Sequence, residues 1–142
     1  MATLPRRWNV ELDGIRWLPR MIDKARMSEA GTLGTYLIGH SPIDRALLTR
    51  LGITTEQFIR IVASESNDAG VLAALRSQPG YDDARVRRWS DRFDRTYRIL
   101  IRLWDVDEGY VQANPFERAV LALYRIIERP MSAFFRTFSP AP

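Results

Sequence analysis

The sequence predicts an all-α fold, a compact multi-helix domain of about five to seven helices with one glycine-rich, partly extended loop. Three observations carry this. Apolar residues recur at i, i+3, i+4 and i+7 in one segment after another, the period of a helix that buries one face. Helix-starting signals precede those segments: Ser41-Pro42, Thr54 with Gln57, Asn67, Asp82 and Asn114-Pro115. No alternating apolar run has a clear partner with which to build a sheet.

Residues 1–14 read as an extended arm. Pro5 and the polar run Asn9–Gly14 interrupt helical periodicity, while Trp8, Val10 and Leu12 alternate with polar residues. The first helix is expected from about Ile15 or Leu18 to Glu29. Its apolar stripe is Leu18, Met21, Ile22 and Ala25, Pro19 fits its first turn, and Gly31 ends it. Gly31, Gly34 and Gly39 then punctuate a loop over Thr32–His40. Ser41 caps a second helix, with Pro42 at its first position and Asp44 complementing the helix dipole. Ile43, Leu47, Leu48 and Leu51 are its buried stripe, and Gly52 closes it.

A capping box at Thr54–Gln57 opens a third helix facing inward through Phe58, Ile61 and Val62. Asn67 starts a fourth, with Val71, Leu72 and Leu75, which Pro79-Gly80 breaks. From Asp82 to about Trp104 the spacing of Val86, Trp89, Phe93, Tyr97, Leu100 and Trp104 predicts one long helix. Asp105–Gln112 is a turn that fails the calcium-loop template, since its glycine arrives early and Phe116 stands where the bidentate glutamate belongs. Asn114-Pro115 starts a last helix with Val120, Leu123, Tyr124 and Ile127, stopped at Pro130. Met131–Phe138 adds a short apolar helix. The organisation expected is one domain over 1–142: the arm, a helical core over 15–80, and the long helix with C-terminal helices over 81–142.

Composition narrows the function classes. The chain has 142 residues, 46% of them hydrophobic and 27% charged, which suits a single globular domain. It has no cysteine and one histidine, so disulfides, thiolate metal sites, a cysteine nucleophile and a histidine-rich metal centre are excluded. No metal and no cofactor is expected. No apolar run approaches a membrane span, and basic residues near Met1 lack a following apolar stretch, so a cytoplasmic location is expected. The net charge is +4, and Lys24 is the only lysine among 21 basic residues. Carboxylates interleave with the arginines and cancel the field that would draw nucleic acid.

The strings Leu18-Pro19-Arg20-Met21-Ile22-Asp23-Lys24, Ala30-Gly31-Thr32-Leu33-Gly34-Thr35-Tyr36, Pro42-Ile43-Asp44 and Leu51-Gly52-Ile53 resemble the bacterial family of domains of unknown function numbered 5069 (DUF5069). The resemblance covers roughly residues 10–78. It implies a fold and a centre of interest, and no activity. It would place a cysteine before Pro42; Ser41 stands there, so any chemistry of that cysteine is absent.

The candidate ligand-binding residues are Arg20, Asp23, Lys24, Tyr36, His40 and Asp44, where the first helix, the glycine loop and the second helix start meet. Arg20 and Lys24 would anchor a small anion with Asp23 orienting them. The structural reading of the same residues is an internal ion network in which Asp23 pairs with an arginine and ties the helix to the loop. His40, Ser41 and Asp44 could suggest a catalytic trio, but Ser41 and Asp44 serve better as caps. The best reading is a binding or interaction module, not an enzyme, paired as a homodimer through the long helix or the C-terminal tail. A small enzyme or anion-binding protein is the alternative. Nucleic-acid and membrane partners rank below both.

Overall fold

The computed structural model describes residues 3–138, with side chains placed as far as residue 127. Among the described residues there are eight helices and one two-stranded antiparallel sheet, so the fold is mostly α. The elements are β1 (Glu11–Leu12), β2 (Ile15–Arg16), α1 (Leu18–Glu29), α2 (Pro42–Leu51), α3 (Thr55–Ser64), α4 (Asp68–Arg76), α5 (Asp83–Asp91), α6 (Phe93–Thr96), α7 (Arg98–Asp107) and α8 (Pro115–Phe138). The chain forms two compact units that divide after Phe93.

In the first unit the predicted caps form. Ser41 Oγ accepts from the Asp44 amide at 3.1 Å. Thr54 and Gln57 close a reciprocal capping box at 3.2 and 2.8 Å. Asn67 and Asp82 cap α4 and α5. Helix α1 ends as expected: Gly31 has φ 71°, its amide donates to Ser28 and the Thr32 amide to Met27, which satisfies two terminal carbonyls. The loop over 32–40 contains no strand.

The arm over 1–14 needs correction, because its second half turns back as a hairpin. Asp13 and Gly14 both have positive φ, 49° and 76°, the pairing that a two-residue hairpin turn requires. The register is Glu11 with Arg16 and Leu12 with Ile15. Ser90 of α5, itself buried, clamps the hairpin: its hydroxyl donates to the Gly14 carbonyl and accepts from the Arg16 amide, both at 2.8 Å. Asp13 pairs with Arg76 and Arg87. The core of this unit is Ile15, Leu18, Met21, Ile22, Ile43, Leu47, Leu51, Phe58, Val71, Leu75, Val86 and Phe93.

Two further expectations are corrected. The helix expected over 82–104 is three helices, α5, α6 and α7, interrupted at Arg92 and Tyr97. The Arg92 amide reaches back only three residues, to Trp89. Val86, Trp89 and Phe93 are buried as expected, but beyond the breaks the buried pair is Ile101 and Asp105 instead of Leu100 and Trp104. Pro130 does not stop the last helix, since α8 continues to Phe138 and absorbs the separate helix expected at Met131–Phe138. A proline inside a helix removes one donor and favours a kink, and a long helix can tolerate that locally. In this second unit α8 lies against α7: Leu121 and Ile101 are buried, and Arg102 of α7 forks onto Glu117 of α8 at 2.7 and 3.2 Å. Asn114 caps α8 at 2.8 Å.

Candidate functional site

Helix α1 buries both of its sides. Its apolar stripe faces the core, and Arg20 and Lys24 of the opposite side are only 3% exposed. This polar side is covered by the N-terminal arm and by the loop over 31–40.

Trp17, the residue before α1, is the centre of this arrangement. Its φ of 69° lies in the left-handed region, where a bulky side chain costs about 1–3 kcal/mol. The contacts it makes hold it there. Its Nε1–H donates to Asp44 Oδ1 at 2.8 Å. The Arg20 guanidinium lies over its ring at 5.2 Å and the Lys24 ammonium at 5.5 Å. Tyr36 covers Arg20 from the loop at 5.5 Å. Stacking of this kind stabilises a desolvated cation by roughly 2 kcal/mol.

Asp44 is fully buried. Lys24 Nζ donates to both of its oxygens, at 2.8 and 2.6 Å, and to the Leu37 carbonyl at 2.9 Å. The Gly39 amide donates to Asp44 Oδ2 at 2.9 Å. The carboxylate expected to complement the α2 dipole is thus turned into the interior. It joins α1, the glycine loop and α2. Arg20 Nη1 donates to the Arg6 carbonyl at 3.0 Å, so the arm is joined as well.

Asp23 belongs to a different cluster. Arg6 grips it with Nε and Nη2, both at 2.8 Å, and with its own amide at 2.8 Å. Arg6 Nη1 also reaches Asp68 at 2.5 Å, and Arg26 reaches Asp68 at 2.9 Å. Two arginines and two aspartates make a neutral clasp between the arm, α1 and the start of α4. The hydrogen bond to Asp23 holds the Arg6 pKa above its ordinary value against desolvation. Burial pushes the Asp68 carboxyl up, but the hydrogen bonds and charges of Arg6 and Arg26 outweigh it and leave a net lowering.

The clasp makes stability depend on pH. A carboxylate whose folded pKa lies below its unfolded value contributes stability above the unfolded value and loses it as pH falls through the folded one. Asp68 is joined in this by Asp13, Asp83 and Glu117, each lowered first by the hydrogen bond of its arginine partner. The melting temperature is therefore expected to hold from neutral pH to about 5 and to fall below about 4. Asp68→Asn should flatten part of that acid limb in a pH series of thermal melts.

The six candidate residues are therefore distributed in three places. Arg20, Lys24, Tyr36 and Asp44 meet around Trp17. Asp23 pairs with an arginine, as the structural reading expected, but ties α1 to the arm instead of the loop. His40 is exposed at the start of α2. A shallow groove of about 290 Å³ between the ends of α2 and the start of α3 is lined by Arg45, Thr49, Thr54 and Glu56 among others, and by none of the six. Lys24 has its ammonium aimed at buried acceptors, so it serves as a strut between elements. Reading the sequence missed Trp17, Arg6 and Asp68. Trp17 carried a usable signal, because an indole N–H needs a partner when buried. Arg6 had none, since its partners lie 17 and 62 residues away.

A family model described as a domain of unknown function, DUF5069, matches residues 2–120, well beyond the 10–78 that the motifs cover. No curated protein matches the chain.

Proposed function

The chain belongs to the DUF5069 family, and we propose that it is a binding module that pairs with a second copy of itself and is not an enzyme. The observation that supports this is the outer face of α8. Phe116 is 76% exposed, Leu123 60%, Tyr124 54% and Ile127 47%. Together they present on the order of 500 Å² of apolar surface, the upper end of what a monomer leaves in water. The first unit favours the same reading from the other side. Its buried cations are directed at internal acceptors, which leaves the anion-site alternative with less support. Carboxylates interleave with its arginines, which disfavours nucleic acid. No helix among the described residues is long and apolar enough to cross a membrane. A cytoplasmic location is part of the proposal, since a chain without cysteine asks for no oxidising compartment.

Leu123→Glu tests it. Leu123 is exposed in the single chain, so the variant should still fold and melt cooperatively, without the concentration-dependent gain in melting temperature that pairing gives the wild type. In light scattering at micromolar concentration the wild type is expected at twice 16.4 kDa and the variant at 16.4 kDa. A wild-type monomer, or a variant that stays dimeric, contradicts the proposal.

A further inference from the structure

We infer that two copies of α8 pair antiparallel, with the two-fold axis at Ile127; this rests on the self-association proposed above and specifies its geometry. The inference starts from spacing. Phe116, Val120, Leu123 and Ile127 stand 4, 3 and 4 residues apart, and the sequence repeats this as Ile127, Met131, Phe134 and Phe138. Tyr124 and Phe135 are one further pair 11 residues apart. An 11-residue period gives 3.67 residues per turn, close to the 3.6 of a straight helix, so the stripe stays on one side along the whole of α8 with little supercoiling. With 24 residues, α8 is about 36 Å long. A helix pair of that length approaches the roughly 800 Å² per partner of a stable interface.

Charge is compatible with a second copy as the occupant. Arg118, Arg125, Arg129 and Arg136 are spaced 7, 4 and 7 residues apart, which places their positions opposite the stripe. Arg125 is held there by Asp107 at 2.8 Å. Pairing along the stripe therefore buries no arginine and opposes none across the seam.

Side-chain size sets the direction. Phe116 and Phe138 end the stripe alike and Tyr124 corresponds to Phe135, but between them the first half is slimmer, with Val120 and Leu123, and the second bulkier, with Met131 and Phe134. A parallel pair would set Phe134 on Phe134 in one half and Val120 on Val120 in the other, crowded in the first and thin in the second. An antiparallel pair centred on Ile127 sets position 120 beside 134, 123 beside 131 and 116 beside 138. Between the Phe116–Phe138 ends summed volume is then even along the seam, as close packing requires, and the two helix dipoles are opposed.

The chain has no cysteine, so single introduced cysteines report cleanly. In full-length protein, Ile127→Cys is expected to cross-link to its own copy on mild oxidation. Phe116→Cys is not, because antiparallel copies separate those positions by about 33 Å along the axis. Mass is measured before oxidation for both variants. Cross-linking of Phe116→Cys means a parallel pair and overturns the inference while leaving self-association standing. Dimers in which neither position cross-links overturn it as well, by placing the contact elsewhere. Monomeric mass for wild type and both variants removes the underlying proposal and the inference with it.

Discussion

Asp44→Asn is expected to destabilise the first unit by about 3–5 kcal/mol, the cost of leaving a buried partner charge uncompensated. The substitution keeps the shape of the side chain and removes its charge. Lys24 would then face a neutral amide with its ammonium 3% exposed, and the amide could not accept from Trp17, Lys24 and Gly39 as the carboxylate does. A domain of this size is stable by only about 5–15 kcal/mol, so a large part of the total is at stake. Denaturant titration measures it. The companion variant Lys24→Met with Asp44→Leu removes both charges and should regain most of the loss, because apolar replacement of a buried pair is often neutral. A loss under about 1 kcal/mol for Asp44→Asn would mean that the pair is not a structural joint.

Gly52→Ala should cost at least about 2–4 kcal/mol, from left-handed backbone and overpacking together. Gly52 ends α2 with φ 73°, and a methyl group there would stand 2.7 Å from the Gly80 carbonyl carbon and 2.9 Å from its Cα. Backbone cannot step aside as a side-chain tip can. Gly31→Ala is the control. Its φ is 71°, but nothing lies within 4 Å of the added carbon, so only the conformational cost of about 1–2 kcal/mol applies. Equal losses at the two glycines would show that the approach of residues 52 and 80 carries no weight.

Much of the helical framework was legible because its signals are local. Ser41, Thr54, Asn67, Asp82 and Asn114 cap the helices they precede, and the stripes of α1 and α2 are buried as their spacing implies. The break of the 82–104 helix was not legible, since Arg92 and Tyr97 are neither proline nor glycine and no local rule marks them. Among the candidate residues, spacing correctly put Arg20 and Lys24 on one side of α1. It could not show that the arm and the loop would cover that side. Nor could it show that Arg6 would claim Asp23, because that depends on contacts made far along the chain. The indole of Trp17 carried a signal but its backbone did not: no sequence rule anticipates tryptophan at positive φ.

In the proposed dimer the charged centre is internal framework and the outer face of α8 is the surface on which two copies meet. Sedimentation velocity on the full, unmodified chain over a hundredfold range of concentration tests that most directly. The expected result is a single species at twice 16.4 kDa that dissociates only on dilution. A species of 16.4 kDa at every concentration would contradict it.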